Sequence, residues 1–194
     1  MKARIYKILK NTKVEGPGTR YCIWFQGCSR HCKGCWAKET WDFNKGELIK
    51  ADDILEDIFS QKNIEGVTFL GGEPFKQADI LRYICPKIKE KNLSIVCFTG
   101  FKIEEIKETN QDILNYIDLL IDGAYIEEQK DFSRPWVGSK NQRYHFLTNK
   151  YNENILNDYK NKIEINISKN GEIFINGMGD LENFVKKSNI KYHH

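Results

Sequence analysis

Three cysteines, Cys28, Cys32 and Cys35, lie close together in the first quarter of the chain. Their C-x3-C-x2-C spacing allows three thiolates to bind one metal ion or one metal cluster. Structural zinc usually takes four protein ligands, commonly as two separated pairs, whereas this sequence has a single compact group. Three thiolates suit a [4Fe-4S] cluster whose fourth iron stays open for a ligand or substrate, although four cysteines are the usual set. The spacing favours iron–sulfur over zinc and leaves both open.

The remaining cysteines and the nearby histidine fit structural roles better than metal ligation. Cys22, Cys85 and Cys97 lie in apolar segments, where a free cysteine is usually a small core residue. His31 directly precedes Cys32, so both side chains could bind one ion only by straining the loop. We therefore expect His31 to be a hydrogen-bonding loop residue and the chain to hold a single cluster.

Composition and charge argue against several functional classes. The chain has 194 residues, 40% of them hydrophobic, so it can bury one core without disulfides and one domain is expected. The 30 basic and 27 acidic residues are interspersed, which argues against nucleic-acid or membrane partners. The N-terminus lacks the apolar run of a signal peptide, and no segment is long enough to span a membrane. These features predict a cytoplasmic protein in which reduced cysteines bind metal.

Hydrophobic patterns predict short strands that alternate with amphipathic helices. The predicted strands are residues 4–9, 20–25, 66–70, 93–98 and 119–121. The predicted helices are residues 52–61, residues 77–90 with an interruption at Pro86, and residues 103–117 in one or two pieces. This alternation is typical of a parallel sheet with right-handed crossovers, so we predict an α/β fold, either a layered sheet or a partial barrel.

Each cluster of cysteine, glycine or acidic residues falls just after one of these strands. The cysteine loop follows the strand that ends at Phe25. The other clusters are Gly71-Gly72-Glu73-Pro74, Thr99-Gly100 and Asp122-Gly123. The carboxyl ends of parallel strands meet at one edge of a sheet, where ligands bind in such folds. We therefore expect these four loops to form one site.

The pattern changes after Phe146. Residues 162–167 and 172–175 are predicted strands joined by Lys169-Asn170-Gly171, an Asn-Gly hairpin signal, and a short helix is predicted from Asp180. We divide the chain into a core domain, residues 1–149, and a C-terminal extension, residues 150–194, that packs on the same domain.

The cysteine loop and its surroundings resemble a known family. The segment EGPGTRYCIWFQGCSRHCKGCWAKETWDF, residues 15–43, is similar to the activating enzymes of glycyl radical enzymes, members of the radical S-adenosylmethionine (SAM) superfamily. FLGGEP, residues 69–74, resembles the SAM-binding glycine motif of that superfamily. Residues 122–143, which include GSKNQR, are most similar to the activating proteins of anaerobic ribonucleotide reductases. The resemblance extends over residues 15–143.

The resemblance implies a fold, two cofactors and a reaction. The fold would be a partial β/α barrel of the radical SAM type, with one [4Fe-4S] cluster on the three clustered cysteines and SAM on the remaining iron. Reductive cleavage of SAM would give a 5'-deoxyadenosyl radical that abstracts hydrogen from a glycine Cα in a partner enzyme. The implied cofactor-binding residues are Trp36, Gly71, Gly72, Glu73, Pro74, Thr99, Gly100 and Asp122.

Several of these residues also have a structural interpretation. Glu73 could contact the SAM ammonium or cap the next helix. Thr99 and Gly100 could form an ordinary turn at a strand end, and Asp122 could cap a loop. Trp36, next to a ligand, could shield the cluster from water.

Other matches leave roles open. Gly16-Pro17-Gly18 matches the family and could be a surface turn or a contact with the partner's glycine loop. Trp41 and Asp42 match without indicating a role. Many superfamily members carry an aromatic residue before the third cysteine to contact adenine, but this chain has Gly34 there. Adenine contacts must then come from elsewhere.

The implied partners are a glycyl radical enzyme, with anaerobic ribonucleotide reductase as the leading candidate, and a flavodoxin- or ferredoxin-type electron donor. One alternative is a radical SAM enzyme for another glycyl radical enzyme, a peptide or a small molecule, because one site architecture hosts many reactions. Another is a zinc-stabilised, non-enzymatic binding module. That module would leave the glycine motif at residues 71–74 unexplained.

Overall fold

Strands and helices alternate along the chain, which the computed structural model describes over residues 1–171 and 173–179. The strands are β1 (Lys2–Thr12), β2 (Arg20–Phe25), β3 (Glu47–Lys50), β4 (Gly66–Gly71), β5 (Ser94–Phe98), β6 (Leu119–Asp122), β7 (Arg143–Phe146), β8 (Ile163–Ile167) and β9 (Ile173–Gly177). The helices are α1 (Ala51–Ser60), α2 (Ala78–Glu90), α3 (Ile103–Leu114) and α4 (Ile155–Asp158). The α/β class predicted from the sequence is correct.

Over the described residues, the central sheet has seven strands in the order β3-β1-β2-β4-β5-β6-β7, and its middle part is parallel. Neighbouring strands from β2 through β4 and β5 to β6 run parallel. In contrast, β1 is antiparallel to β2 and β3, and β7 is antiparallel to β6. The parallel prediction is therefore wrong for the first strand. Only residues 13–19 join β1 to β2, too few for the crossover that a parallel pair needs.

The predicted helices are present with small shifts at their ends. Helix α2 continues through Pro86, where an interruption was expected. Its neighbours Ile84, Cys85 and Ile88 are completely buried in the core. This packing outweighs the hydrogen bond that proline removes. In α3, Asn110 has non-helical backbone angles, in agreement with the prediction of two pieces.

The predicted C-terminal hairpin is present as β8 and β9, and the N–H of Gly171 donates to the carbonyl of Ser168 in its turn at 2.9 Å. The helix predicted from Asp180 lies outside the described residues. Short elements such as β3, β7 and α4, each of four residues, were not predicted, because four residues hold too little periodicity. Within the described part of the chain, no helix has the length and apolarity needed to cross a bilayer.

The two faces of the central sheet pack against different parts of the chain. Val67 and Phe69 of β4 belong to the main core under α1, α2 and α3. Leu70 of the same strand faces the other way and packs with Trp24 and with Phe174 of the hairpin. Alternation along β4 therefore gives the helices one face and the C-terminal extension the other.

Arg20, at the start of β2, is completely buried on the extension side. Its guanidinium donates to Oγ1 of Thr68 at 3.1 Å, to Oγ of Ser94 at 2.6 Å and to the carbonyl of Val67 at 2.6 Å. It also donates to the hydroxyl of Tyr151 in the extension at 3.3 Å. Burial lowers the pKa of Arg20, and these oxygen atoms provide the hydrogen bonds that a buried cation requires. One side chain thus links three strands and the extension.

Replacing Arg20 by methionine tests this link. We expect Arg20→Met to lower the free energy of unfolding by about 3 kcal/mol or more, because several buried acceptors lose their donor. The control Arg82→Met removes a partly exposed arginine of α2 that pairs with Asp79 and Asp112, and we expect a much smaller loss because solvent-exposed ion pairs contribute little to stability. Anaerobic urea unfolding measures both values. Equal losses for the two variants would contradict the role assigned to Arg20.

Candidate metal centre

The four loops predicted to form a site meet around one cavity of about 510 Å³. The predicted site residues that line it are Cys28, Cys32, Cys35, Trp36, Gly71, Gly72, Glu73, Thr99 and Gly100. Pro74 and Asp122 are not among the lining residues, whereas Gly123, next to Asp122, is. The predicted convergence of the loops is therefore present.

The cysteine loop is shaped by a turn and by two residues with left-handed backbone angles. The N–H of Cys35 donates to the carbonyl of Cys32 at 3.1 Å, which closes a turn between the second and third cysteines. His31 and Gly34 have φ values of 46° and 72°. Gly34 suits this conformation because glycine has no β-carbon, and an aromatic residue there would be strained.

Thr40 and Trp41 brace the cysteine loop through their backbone. The carbonyl of Thr40 accepts from the N–H of Gly27 at 2.7 Å, and that of Trp41 accepts from the N–H of Cys28 at 3.1 Å. The ring of His31 stacks on the ring of Trp41 with 4.6 Å between centroids. These contacts give Trp41 a role that its side-chain type alone did not reveal.

The thiols of the cysteine loop have surroundings that fit cluster ligands. All are free of disulfides. Burial raises the pKa of Cys28 and Cys32. Hydrogen bonds from backbone N–H groups oppose this shift because they favour the thiolate. They come from Arg30 and His31 at Cys28, and from Tyr125 at Cys32. Hydrogen bonds from N–H groups to the sulfurs also tune the reduction potential of a bound iron–sulfur cluster.

The donor set suits a cluster with one thiolate on each of three irons. The cysteines form one compact C-x3-C-x2-C group, whereas structural zinc usually takes four protein ligands. In a [4Fe-4S] cluster each thiolate binds a different iron, so the sulfurs need not meet at one point. The chemistry and spacing of the donors therefore fit a cluster better than tetrahedral zinc.

Gly71 and Gly72 lie directly against the start of the cysteine loop. The N–H of Gly72 donates to the carbonyl of Phe25 at 2.8 Å, and the N–H of Glu73 donates to that of Gly27 at 2.9 Å. A β-carbon on Gly72 would lie 2.5 Å from the Gly27 oxygen, and one on Gly71 would lie 2.7 Å from the Phe25 nitrogen. Because both neighbours are backbone atoms, only glycine fits without moving the chain. The pair therefore sets the position of the cysteine loop.

Glu73 joins the glycine loop to the loop after β5. Its buried carboxylate accepts from Oγ1 of Thr99 at 2.8 Å, from the N–H of Gly100 at 2.8 Å and from the N–H of Phe75 at 3.1 Å. The last contact caps the short helical turn Pro74–Gln77, one of the two roles predicted for Glu73. Burial raises the pKa of Glu73 to about 7, although these donors oppose the shift.

Asp122 is held by other groups of the chain. Its Oδ2 lies 2.5 Å from Nη2 of Arg143 and 3.1 Å from Nε2 of His145, and it accepts from the N–H of Ile103 at 2.7 Å. Burial opposes ionisation, but these groups together hold the pKa of Asp122 well below its ordinary value. A contact between Asp122 and the cofactor stays a prediction.

Two other motif segments differ in exposure. Trp36 lines the cavity with 49% of its surface exposed, and its role as a shield for the cluster stays a prediction. Gly16 and Pro17 are buried, and the N–H of Gly18 donates to the hydroxyl of Tyr159 in the extension at 2.9 Å. The Gly-Pro-Gly segment is therefore not an exposed surface turn.

The family model described as a 4Fe-4S single cluster domain matches residues 14–145. The match includes the cysteine loop, the glycine loop and the parallel strands that carry them. It defines the class of protein as an iron–sulfur protein with one four-iron cluster. Zinc-stabilised binding, the alternative left open by the cysteine spacing, has no support in this match.

Individual relatives show to which family of iron–sulfur proteins the chain belongs. The anaerobic ribonucleoside-triphosphate reductase-activating protein of Haemophilus influenzae is 35% identical over 142 residues, or 68% of this chain and 90% of the relative. The protein of the same description from Escherichia coli K12 is 33% identical over 69% of this chain and 92% of the relative. The one from phage T4 is 32% identical over 67% of this chain and 85% of the relative. The chain belongs to the family of anaerobic ribonucleoside-triphosphate reductase-activating proteins.

The close approach at Gly72 gives a prediction about cluster assembly. In Gly72→Ala the added methyl group would meet the backbone oxygen of Gly27 at 2.5 Å, so the cysteine loop must move. We expect a several-fold loss of iron per chain after anaerobic reconstitution and a loss of about 1–3 kcal/mol in the free energy of unfolding. Iron and sulfide analysis measures the first effect. The control Gly171→Ala, in the turn of the hairpin, where an added β-carbon would meet nothing within 4 Å, should retain its iron. Normal iron content in Gly72→Ala would contradict the packing described here.

Proposed function

We propose that this protein is a radical SAM activating enzyme that generates a glycyl radical on an anaerobic ribonucleotide reductase. The observation that carries the proposal is one cavity lined by three free thiols and by the glycine loop, in a chain that belongs to this family. Its relatives are named activating proteins of the anaerobic ribonucleoside-triphosphate reductase, which makes that enzyme the proposed protein substrate.

Cys28, Cys32 and Cys35 would hold the [4Fe-4S] cluster and leave one iron free for SAM. Together the cluster and SAM supply, when bound, a 5'-deoxyadenosyl radical by one-electron cleavage of the sulfonium. The chain fixes the geometry of this site through the backbone contact of Gly71 and Gly72 with the cysteine loop. The walls of the cavity would also limit the access of water to the bound cofactors.

Glu73 is the group proposed to receive the SAM ammonium. With a pKa near 7, its carboxyl is partly protonated at neutral pH, and a cation nearby would favour the ionised form. Thr99 and Gly100, held by Glu73, form the adjoining wall. Pro74 would stiffen the exit of the glycine loop. Trp36 and Asp122 complete the proposed cofactor-binding set.

Tyr125 is proposed to contact adenine in place of the aromatic residue that Gly34 cannot provide. Tyr125 lines the cavity, and its backbone N–H lies at the sulfur of Cys32. Aromatic rings stack on nucleobases with a favourable free energy of about 1–3 kcal/mol. The loop after β6 would thereby supply a contact that other superfamily members obtain from the cysteine loop.

The fold and the extension also enter this proposal. The central sheet, parallel in its middle part and with its site at the carboxyl ends of β2, β4 and β5, supports a partial β/α barrel of the radical SAM type. Residues 1–149 would form the core domain and residues 150–194 an extension on the same domain. In support, Asn161 donates to the carbonyls of Arg134 and Val137 in the core.

A one-electron donor and a reducing compartment are further requirements. We propose a flavodoxin- or ferredoxin-type donor, because cleavage of SAM consumes one electron. The free cysteines and the cluster require a reducing environment, for which we propose the cytoplasm.

Deuterium transfer tests the proposed function directly. The reconstituted protein would be incubated with SAM, dithionite and the anaerobic ribonucleotide reductase of the same organism, prepared with glycine deuterated at Cα. We expect a glycyl radical signal in electron paramagnetic resonance and deuterium in the 5'-deoxyadenosine product. Cys32→Ala should abolish both, whereas the matched Cys85→Ala, at a buried cysteine in α2, should retain them. Cleavage of SAM without radical formation or deuterium transfer would refute the function.

A further inference from the structure

The C-terminal hairpin contributes a wall to the cavity although it lies outside the family match. The match ends at residue 145, and β8 and β9 follow it. Ile163, Ile173 and Ile175 of the hairpin nevertheless line the same cavity as the clustered cysteines. The site of this chain therefore contains an element in addition to those of the matched domain.

Specific contacts seat the hairpin beside the site. Buried Glu15 accepts from the N–H of Gly177 at 2.6 Å and from Nδ2 of Asn176 at 3.3 Å. The ring of Phe174 packs edge-on against Trp24 of β2 with 5.5 Å between centroids. The hairpin is thus attached to the core by polar and aromatic contacts on one of its faces.

The opposite face of the hairpin is entirely apolar. The register pairs Ile165 with Ile175 and Ile167 with Ile173. Because side chains alternate along a strand, the isoleucine face consists of Ile163, Ile165, Ile167, Ile173 and Ile175. On this face Ile165, Ile167 and Ile173 are 38%, 69% and 54% exposed. Such a concentration of exposed isoleucine is characteristic of an interaction surface.

The position of the isoleucine face indicates what covers it. Hydrogen abstraction from a glycine requires that a segment of the partner polypeptide reach the cysteine end of the cavity. Ile163, Ile173 and Ile175 line that cavity, and Ile165 and Ile167 continue the same surface outward. A polypeptide segment that reached the cavity along this side of the hairpin would contact this surface.

We propose that the isoleucine face binds the glycine-bearing segment of the partner enzyme through apolar side chains that flank the glycine. The inference rests on the proposed function and names the element that recognises the protein substrate. The hairpin then determines the affinity for the partner, while the cysteine and glycine loops hold the cofactors. Binding of the partner and cleavage of SAM should therefore respond to different substitutions.

The double variant Ile165→Ser/Ile167→Ser, at exposed isoleucines that do not line the cavity, tests this separation. We expect its KM for the reductase of the same organism to rise roughly tenfold, because exposed apolar contacts at an interface are lost. Cleavage of SAM with dithionite in the absence of reductase should be unchanged. The matched control is Leu48→Ser, at a residue that is 49% exposed on the edge strand β3.

The outcomes distinguish this inference from the proposed function. If the wild type forms the glycyl radical and the double variant has the KM of Leu48→Ser, the role of the isoleucine face is refuted and the function stands. If the wild type cleaves SAM but forms no glycyl radical, the function itself is refuted, and this inference with it. A photo-crosslinking residue at position 167 should capture the reductase segment that contains the radical glycine, and one at position 48 should not. Capture of another segment from position 167 would also overturn the inference.

Discussion

The structure of the site depends on one backbone contact, the approach of Gly71 and Gly72 to the turn that begins the cysteine loop. Strands β2 and β4 are parallel neighbours, so the loops that follow them leave the sheet at the same edge. A β-carbon at Gly72 would lie 2.5 Å from the oxygen of Gly27, which no other residue type tolerates. Glu73 then joins these loops to Thr99 and Gly100. A single constraint thereby positions the cysteines, the glycine loop and the loop after β5.

Buried charged groups join this arrangement to the C-terminal extension. Arg20 and Glu15 lie on the face of the sheet opposite to the helices, and each is compensated partly by residues far away in the sequence, Tyr151 and Gly177. Burying such groups without hydrogen-bond partners would cost considerable free energy. The extension therefore contributes to the stability of the core that it covers, and the contact of Gly177 with Glu15 holds the hairpin beside the cavity.

Sequence patterns predicted the position of the cysteine and glycine loops correctly because the signals for that position are local. Residue type and position after a strand suffice to place Cys28 and Gly71 at one edge of the sheet. The antiparallel direction of β1 was not predicted, because it follows from the short connection to β2. The contacts of Thr40 and Trp41 with the cysteine loop were not predicted either, because backbone carbonyls make them. The hairpin could be recognised from Asn170-Gly171, but not its position. That position rests on contacts such as Glu15 with Gly177, 162 residues apart, which leave no periodic pattern.

The central claim is that three cysteines hold a cluster with one iron open to SAM. The most direct measurement is electron paramagnetic resonance of the anaerobically reconstituted, reduced protein with and without SAM. We expect a reduced [4Fe-4S] signal that changes when SAM is added and is lost in Cys28→Ala. A cluster signal that is identical with and without SAM would contradict an open iron. Thiolates occupied by zinc would contradict the cluster itself.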